Sequence, residues 1–172
     1  AAPCGASLDY YVSAQTTSAI TASDPGTAPA SVFSALSAAG LSTIFSDSFE
    51  TDQGWSGVAA NDTATTGRWT RNVSQATLAQ PAGDHTTGSG QCWVTDYRAG
   101  TAIGDFDVDN GQTTLTSPLI NLSGAADGVI GYWRWYSNTQ GASPNADIFT
   151  VDVSNDNGAT WGAYRTLLLS NT

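Results

Sequence analysis

The chain has 172 residues and carries 15 acidic side chains against 5 basic ones, a formal net charge of −10. That balance excludes nucleic acid and anionic membrane surfaces as partners and favours cations, neutral polymers or basic proteins. Only 12% of residues are charged and no apolar run reaches bilayer length, so the composition predicts a Ser/Thr/Asn/Gln/Gly-rich surface of the secreted type, with no membrane insertion.

The start, Ala1-Ala2-Pro3-Cys4, has neither a basic n-region nor an apolar h-region, so no signal peptide is expected. Cys4 and Cys92 are the only cysteines. They are either two buried thiols or one long-range disulfide of the kind an exported chain tolerates. Two cysteines alone do not make a structural zinc site. Residues 8–14 predict one strand, with Tyr10 and Val12 on one face. Residues 22–30 read as a turn-rich linker broken most strongly at Pro25-Gly26, and the Ala/Ser-rich stretch 31–40 reads either as one helical turn or as extended chain.

From Ser42 onward the pattern is short β-branched and aromatic runs separated by Gly, Asn, Asp and Pro. Predicted strands cover 43–50, 67–72, 90–96, 112–116, 129–137, 147–154 and 161–169, with Asp156-Asn157-Gly158 as a hairpin signal. No helical period is visible, so the fold class is all-β, a sandwich or barrel. The loop 99–110 is long enough to need a reason.

Four groups of residues stand out. Glu50 is the only glutamate, and with no lysine in the chain its charged partner is either an arginine or a metal. Asp105, Asp107 and Asp109 alternate in the loop and share one face if it is extended. That D-x-D-x-D run departs from an EF-hand at Asn110 and Thr116, which leaves a different calcium loop or a solvated acidic loop. Ser154 to Trp161 fits the Asp-box pattern S-x-D-x-G-x-T-W, which specifies a hairpin in which Asp156 accepts turn amides and Trp161 packs beneath. In Tyr132-Trp133-Arg134-Trp135-Tyr136, alternation sends both tryptophans one way, into the interior, and the Tyr-Arg-Tyr set the other way. There Arg134 either stacks between Tyr132 and Tyr136 or forms with them a platform for a sugar or peptide. The single histidine, His85, lies in a turn with no nucleophile elbow and is expected to pack locally, so no catalytic site is expected.

Phe49-Glu50, Gly54-Trp55, Trp69-Thr70-Arg71, Asp84-His85-Thr86, Gly88, Gly90, Leu115, Ser117-Pro118 and the aromatic run 132–136 occur in an order that resembles the extracellular MAM domain. The resemblance is closer to bacterial secreted jelly-roll modules of F-E-T-D-x-G-W type found beside exported peptidases and other enzymes. It implies a two-sheet antiparallel jelly-roll β-sandwich over 42–172, preceded in 1–41 by an extra strand and linker that end an immunoglobulin-like module. It also implies a calcium site in which Glu50 and Asp84 are ligands, with Asp147 or Asp152 completing the shell. Modules of this type continue beyond the point where this chain stops, at Thr172, just after the apolar stretch Leu167-Leu168-Leu169. Either residues 8–14 fold back to fill the gap, or another chain supplies a strand, or the 172 residues are a fragment. The expected function is a non-catalytic, calcium-stabilised extracellular structural or adhesive module contacting other protein chains, copies of itself included. The alternative is a carbohydrate-binding accessory module of a secreted enzyme.

Overall fold

The structure is a computed structural model that describes residues 2–3, 5–125, 128–140 and 143–163. The described residues are all-β, with small antiparallel sheets and no helix. The strands are β1 (Ser7–Tyr10), β2 (Val12–Gln15), β3 (Thr21–Asp24), β4 (Phe33–Leu36), β5 (Trp69–Val73), β6 (Gln91–Thr95), β7 (Asp152–Val153) and β8 (Gly162–Ala163). They pair as β1–β4, β2–β3, β5–β6 and β7–β8, each pair a two-stranded antiparallel sheet.

The N-terminal strands make one long ribbon. The β2–β3 turn closes through Thr16 N–H to the Ile20 carbonyl (2.9 Å) and Ala19 N–H to the Thr16 carbonyl (3.0 Å). The ribbon then continues as β1–β4 after residues 25–32 loop out opposite the single residue Tyr11. This loop shifts the register, so the strand predicted over 8–14 divides at Tyr11. The stretch 22–30 read as linker begins inside β3, and of the two readings of 31–40 the extended one holds, as β4. Tyr10 faces Phe33 across the ribbon, ring centroids 5.5 Å apart, and the Ser34 hydroxyl donates to Asp9 Oδ1 at 2.8 Å on the other face.

The β5–β6 pair is the centre of the better-packed region. Alternation buries Cys92 and Val94, and the loop residue Ala64 is fully buried. Opposite that face, Gly57 lies so close to the Trp69 carbonyl and the Trp93 ring that a Cβ there would meet them at 2.5 and 2.8 Å. The loops 56–66 and 107–116 run antiparallel beside this pair, linked by single bridges Ser56–Thr116 and Thr66–Asp109. Buried Ser74 ties the following loop down, its hydroxyl lying 2.7 Å from the Pro81 carbonyl.

Several predicted strands are not strands. In 43–50, Asp47 Oδ1 accepts the Phe49 amide at 2.7 Å and Phe49 takes a φ of 63°, so an aspartate turn replaces extended chain. Residues 112–116 make isolated contacts rather than a ladder, and 129–137 carries no ladder among the described residues. There the Tyr136 hydroxyl (3.0 Å) and the Asn138 amide (2.7 Å) take the Asp147 carbonyl that a paired strand would use. The strand predicted over 147–154 shrinks to β7. That predicted over 161–169 is β8 as far as Ala163, and Leu167 to Leu169 lie outside the described residues.

The packing leaves much apolar surface uncovered. Among the described residues no large side chain is fully buried, while Ile148, Leu78, Leu119 and Leu41 are each more than three-quarters exposed. Leu8, Tyr10 and Val12 of the ribbon are about half exposed.

Candidate functional site

Glu50 sits at the end of the aspartate turn, where the edge-on contact of Phe49 with Trp55 (5.3 Å, 84°) and the Trp55 Nε1–Asp47 Oδ2 hydrogen bond (3.0 Å) fix the segment. Its carboxylate is cradled by the 88–91 segment. Oε2 accepts the Ser89 amide at 2.9 Å and the Ser89 hydroxyl, and Oε1 accepts the Gly90 (3.1 Å) and Gln91 (3.3 Å) amides. The Ser89 hydroxyl and amide, then the other amides, hold the Glu50 carboxyl below the usual glutamate range. Arg71 reaches the same segment but donates to main chain, its Nη1 lying 3.0 Å from the Phe49 carbonyl. Glu50 is therefore a clip joining residue 50 to the start of β6.

Asp84 accepts the Thr86 hydroxyl within its own turn, and Thr86 also lies against the Ser48 carbonyl (3.4 Å). Asp84 thus stands beside the clip, and its charge, like that of Glu50, reaches Cys92. Asp152 lies in β7, paired with Ala163. Asp147 lies toward the acidic loop, where its charge acts on Asp107. Among the described residues no three His, Cys, Asp or Glu side chains stand close enough together to hold one metal ion.

In the acidic loop the three aspartates do different things. Asp105 Oδ2 accepts the amides of Ala102 (2.9 Å) and Thr101 (2.6 Å), the first above all depressing its pKa. The Asp109 and Asp107 carbonyls accept from Thr65 and Thr66, pinning the loop to the 63–67 segment. Gly67, at φ 65°, passes so close to the Asp107 carbonyl that a Cβ there would lie 2.5 Å away. Asp107 is pushed up by lost solvation first, then by the charges of Asp109 and Asp147.

The aromatic segment departs from the alternation expected of it. Trp133 is 43% exposed, and its ring stacks on that of His85, centroids 3.7 Å apart and planes 16° from parallel. His85 therefore packs across the fold rather than within its turn. Arg134 lies over Phe149 (5.0 Å) and Tyr136 (5.9 Å), and its Nε is buried without an acceptor among the described residues. Tyr132 keeps contacts of its own.

The Asp-box residues close the β7–β8 hairpin. Asp156 accepts the Thr160 amide (2.8 Å), the Thr160 hydroxyl (2.6 Å) and the Ser154 hydroxyl (2.7 Å), and its pKa falls to about 2, chiefly through the Thr160 hydroxyl. Trp161 lies against Gly158 yet stays 54% exposed.

Cys92 is buried, its Sγ 3.5 Å from the Asn72 carbonyl, and burial pushes its thiol pKa up. Cys4 lies outside the described residues, and with it the expected bridge. No family model, no curated protein and no solved structure matches the chain. The functional reading therefore rests on this geometry.

Proposed function

We propose that the chain is a non-catalytic extracellular β-module of MAM-like jelly-roll type, with a structural or adhesive role, that covers its apolar surface by strand addition with other protein chains, including copies of itself. The observation that carries this reading is the N-terminal ribbon. Among the described residues, two paired strands with Leu8, Tyr10 and Phe33 more than a third exposed have two outer edges and one uncovered apolar face. A two-stranded ribbon is marginal in water on its own, and open edges with exposed apolar side chains are templates for further strands. The stacking of His85, the single histidine, on Trp133 supports a non-catalytic role.

Calcium belongs to this proposal through the acidic loop. Bound there, a cation would draw Asp107, Asp109 and Asp147 together and relieve the repulsion that, after lost solvation, raises Asp107. Light scattering of purified protein tests the assembly. A mass that grows with concentration is expected, and a monomer at every concentration contradicts it.

A second reading has its own observation. The exposed Trp133 ring, braced from one side by His85, is a flat apolar face of the sort that sugar rings stack on. Retardation in gels containing soluble polysaccharides, lost in Trp133→Ala, would favour a carbohydrate-binding module. Unchanged mobility would remove that reading.

A further inference from the structure

At the end of the β5–β6 pair away from the Glu50 clip lies a shallow cleft of about 390 Å³, lined by 65–70 on one side and 96–98 on the other. Its volume falls at the lower end of the range for small-ligand sites, roughly 300–1,000 Å³. Two of the chain's five arginines, Arg68 and Arg98, meet there. Arg98 is already paired. Its Nε (2.9 Å) and Nη2 (2.6 Å) clamp the Asp96 carboxylate, and its guanidinium lies 3.8 Å over the Phe106 ring.

Arg68 is held differently. Its Nε donates to the carbonyl of fully buried Ala64 at 2.7 Å, which fixes the guanidinium plane. Its Nη groups have neither hydrogen bond nor carboxylate partner among the described residues. Asp96 neutralises Arg98, and the Asp109 carboxylate lies 3.3 Å from the hydroxyl of the lining residue Thr66, so the positive charge open to a ligand is that of the Arg68 guanidinium alone. Trp69, Tyr97 and Thr70 line the same cleft, and their side-chain polar groups also carry no hydrogen bond among the described residues. A preset guanidinium beside aromatic rings and unpartnered hydroxyls suits a ligand that is anionic, planar at its charge and hydroxylated elsewhere.

We propose that this cleft binds the carboxylate of an acidic sugar, a uronate unit of a polysaccharide, with Arg68 as the anion ligand. Asp96 keeps Arg98 from acting as a second one. The proposal rests on the adhesive reading only in that the chain attaches to something outside itself. It needs neither strand addition nor calcium.

Calorimetry with a galacturonate oligomer, a neutral galactose oligomer and an aspartate-rich peptide tests it on the full chain. The uronate oligomer should bind and the neutral one should not. Arg68→Gln should weaken binding by about tenfold or more, the scale of one charge-assisted hydrogen bond. Because Arg68 also anchors Ala64, Arg68→Gln must keep its melting curve to be read. Asp96→Asn is the second variant: freeing Arg98, it should tighten uronate binding, a gain that a folding defect does not mimic. Equal binding of both oligomers, undiminished binding by Arg68→Gln, preference for the peptide, or no binding at all would each overturn the proposal. Light scattering on the same samples reports on assembly separately, so the two fail independently.

Discussion

The carboxylate of Glu50 fills the space that a side chain on Gly88 would need, because a Cβ built on Gly88 collides with its Cδ and Oε1. The only glutamate in the chain is thus matched to a position without a side chain, and the three amides that follow, Ser89 to Gln91, close on its oxygens. This contact holds the aspartate turn against the start of β6, the best-buried strand of the described residues.

Gly88→Ala should therefore push Glu50 out of its cradle. The obstructing atoms are the far end of a flexible side chain, so the cost is the loss of the hydrogen bonds that cradle it rather than core overpacking. Urea melts of Gly88→Ala, Glu50→Ala and the double variant test the link. The glycine substitution should cost clearly less once Glu50 is truncated, since residues in contact are not additive. Additive effects would show that the clip is not what the glycine serves.

Acid should weaken the fold at two places. Glu50 is depressed by Ser89 first and then by the amides, and Asp156 falls to about 2, by the Thr160 hydroxyl first. A carboxyl whose folded pKa lies below its unfolded one contributes fully above the unfolded value and loses that contribution as pH falls through the folded one. For Asp156 the loss runs from roughly pH 4 down to about 2. Melting temperature should fall over that interval, and Asp156→Asn should flatten part of the fall. An identical acid limb in wild type and Asp156→Asn would contradict the assignment.

Asp107 runs the other way. Its folded pKa is raised, so stability falls as pH rises through the interval between its unfolded and folded values. Asp107→Asn should therefore stabilise the protein at pH 7 and be neutral in strong acid. The side chain is exposed and solvent screens it, so the gain should be on the order of 1–2 °C. Calcium should raise the wild-type melting temperature and do less for Asp107→Asn. A wild-type melt that is the same in calcium and in chelator would remove calcium from the account.

Cys92 is 5% exposed and its thiol pKa is raised, so it should resist iodoacetamide in the native protein. Alkylation after unfolding without reductant, read by intact mass, decides the expected bridge as well. Two modified thiols would mean that Cys4 and Cys92 are not joined, and fast native labelling would contradict the burial.

The parts of the fold that were legible in sequence are those with a local cause. β6 shows in the alternation that buries Cys92 and Val94, and the β7–β8 hairpin shows in Asp156-Asn157-Gly158. The strand expected over 43–50 failed because the Asp47 side chain offers the Phe49 amide a closer acceptor than any neighbouring strand. Glu50 was conspicuous, yet its partners were invisible, since main-chain amides leave no side-chain signature beyond the glycines at 88 and 90. The His85–Trp133 stack joins segments distant in sequence, and the Arg68 cleft depends on which arginine keeps a carboxylate, a matter of tertiary geometry.

The central claim is that the N-terminal ribbon is covered by another chain. Amide hydrogen exchange of Ser7–Tyr10 and Phe33–Leu36, followed from dilute to concentrated protein, tests it most directly. The account predicts that protection of these amides rises with concentration while that of β5 and β6 stays constant. Equal exchange of the ribbon at every concentration, in a protein that stays monomeric, would contradict it.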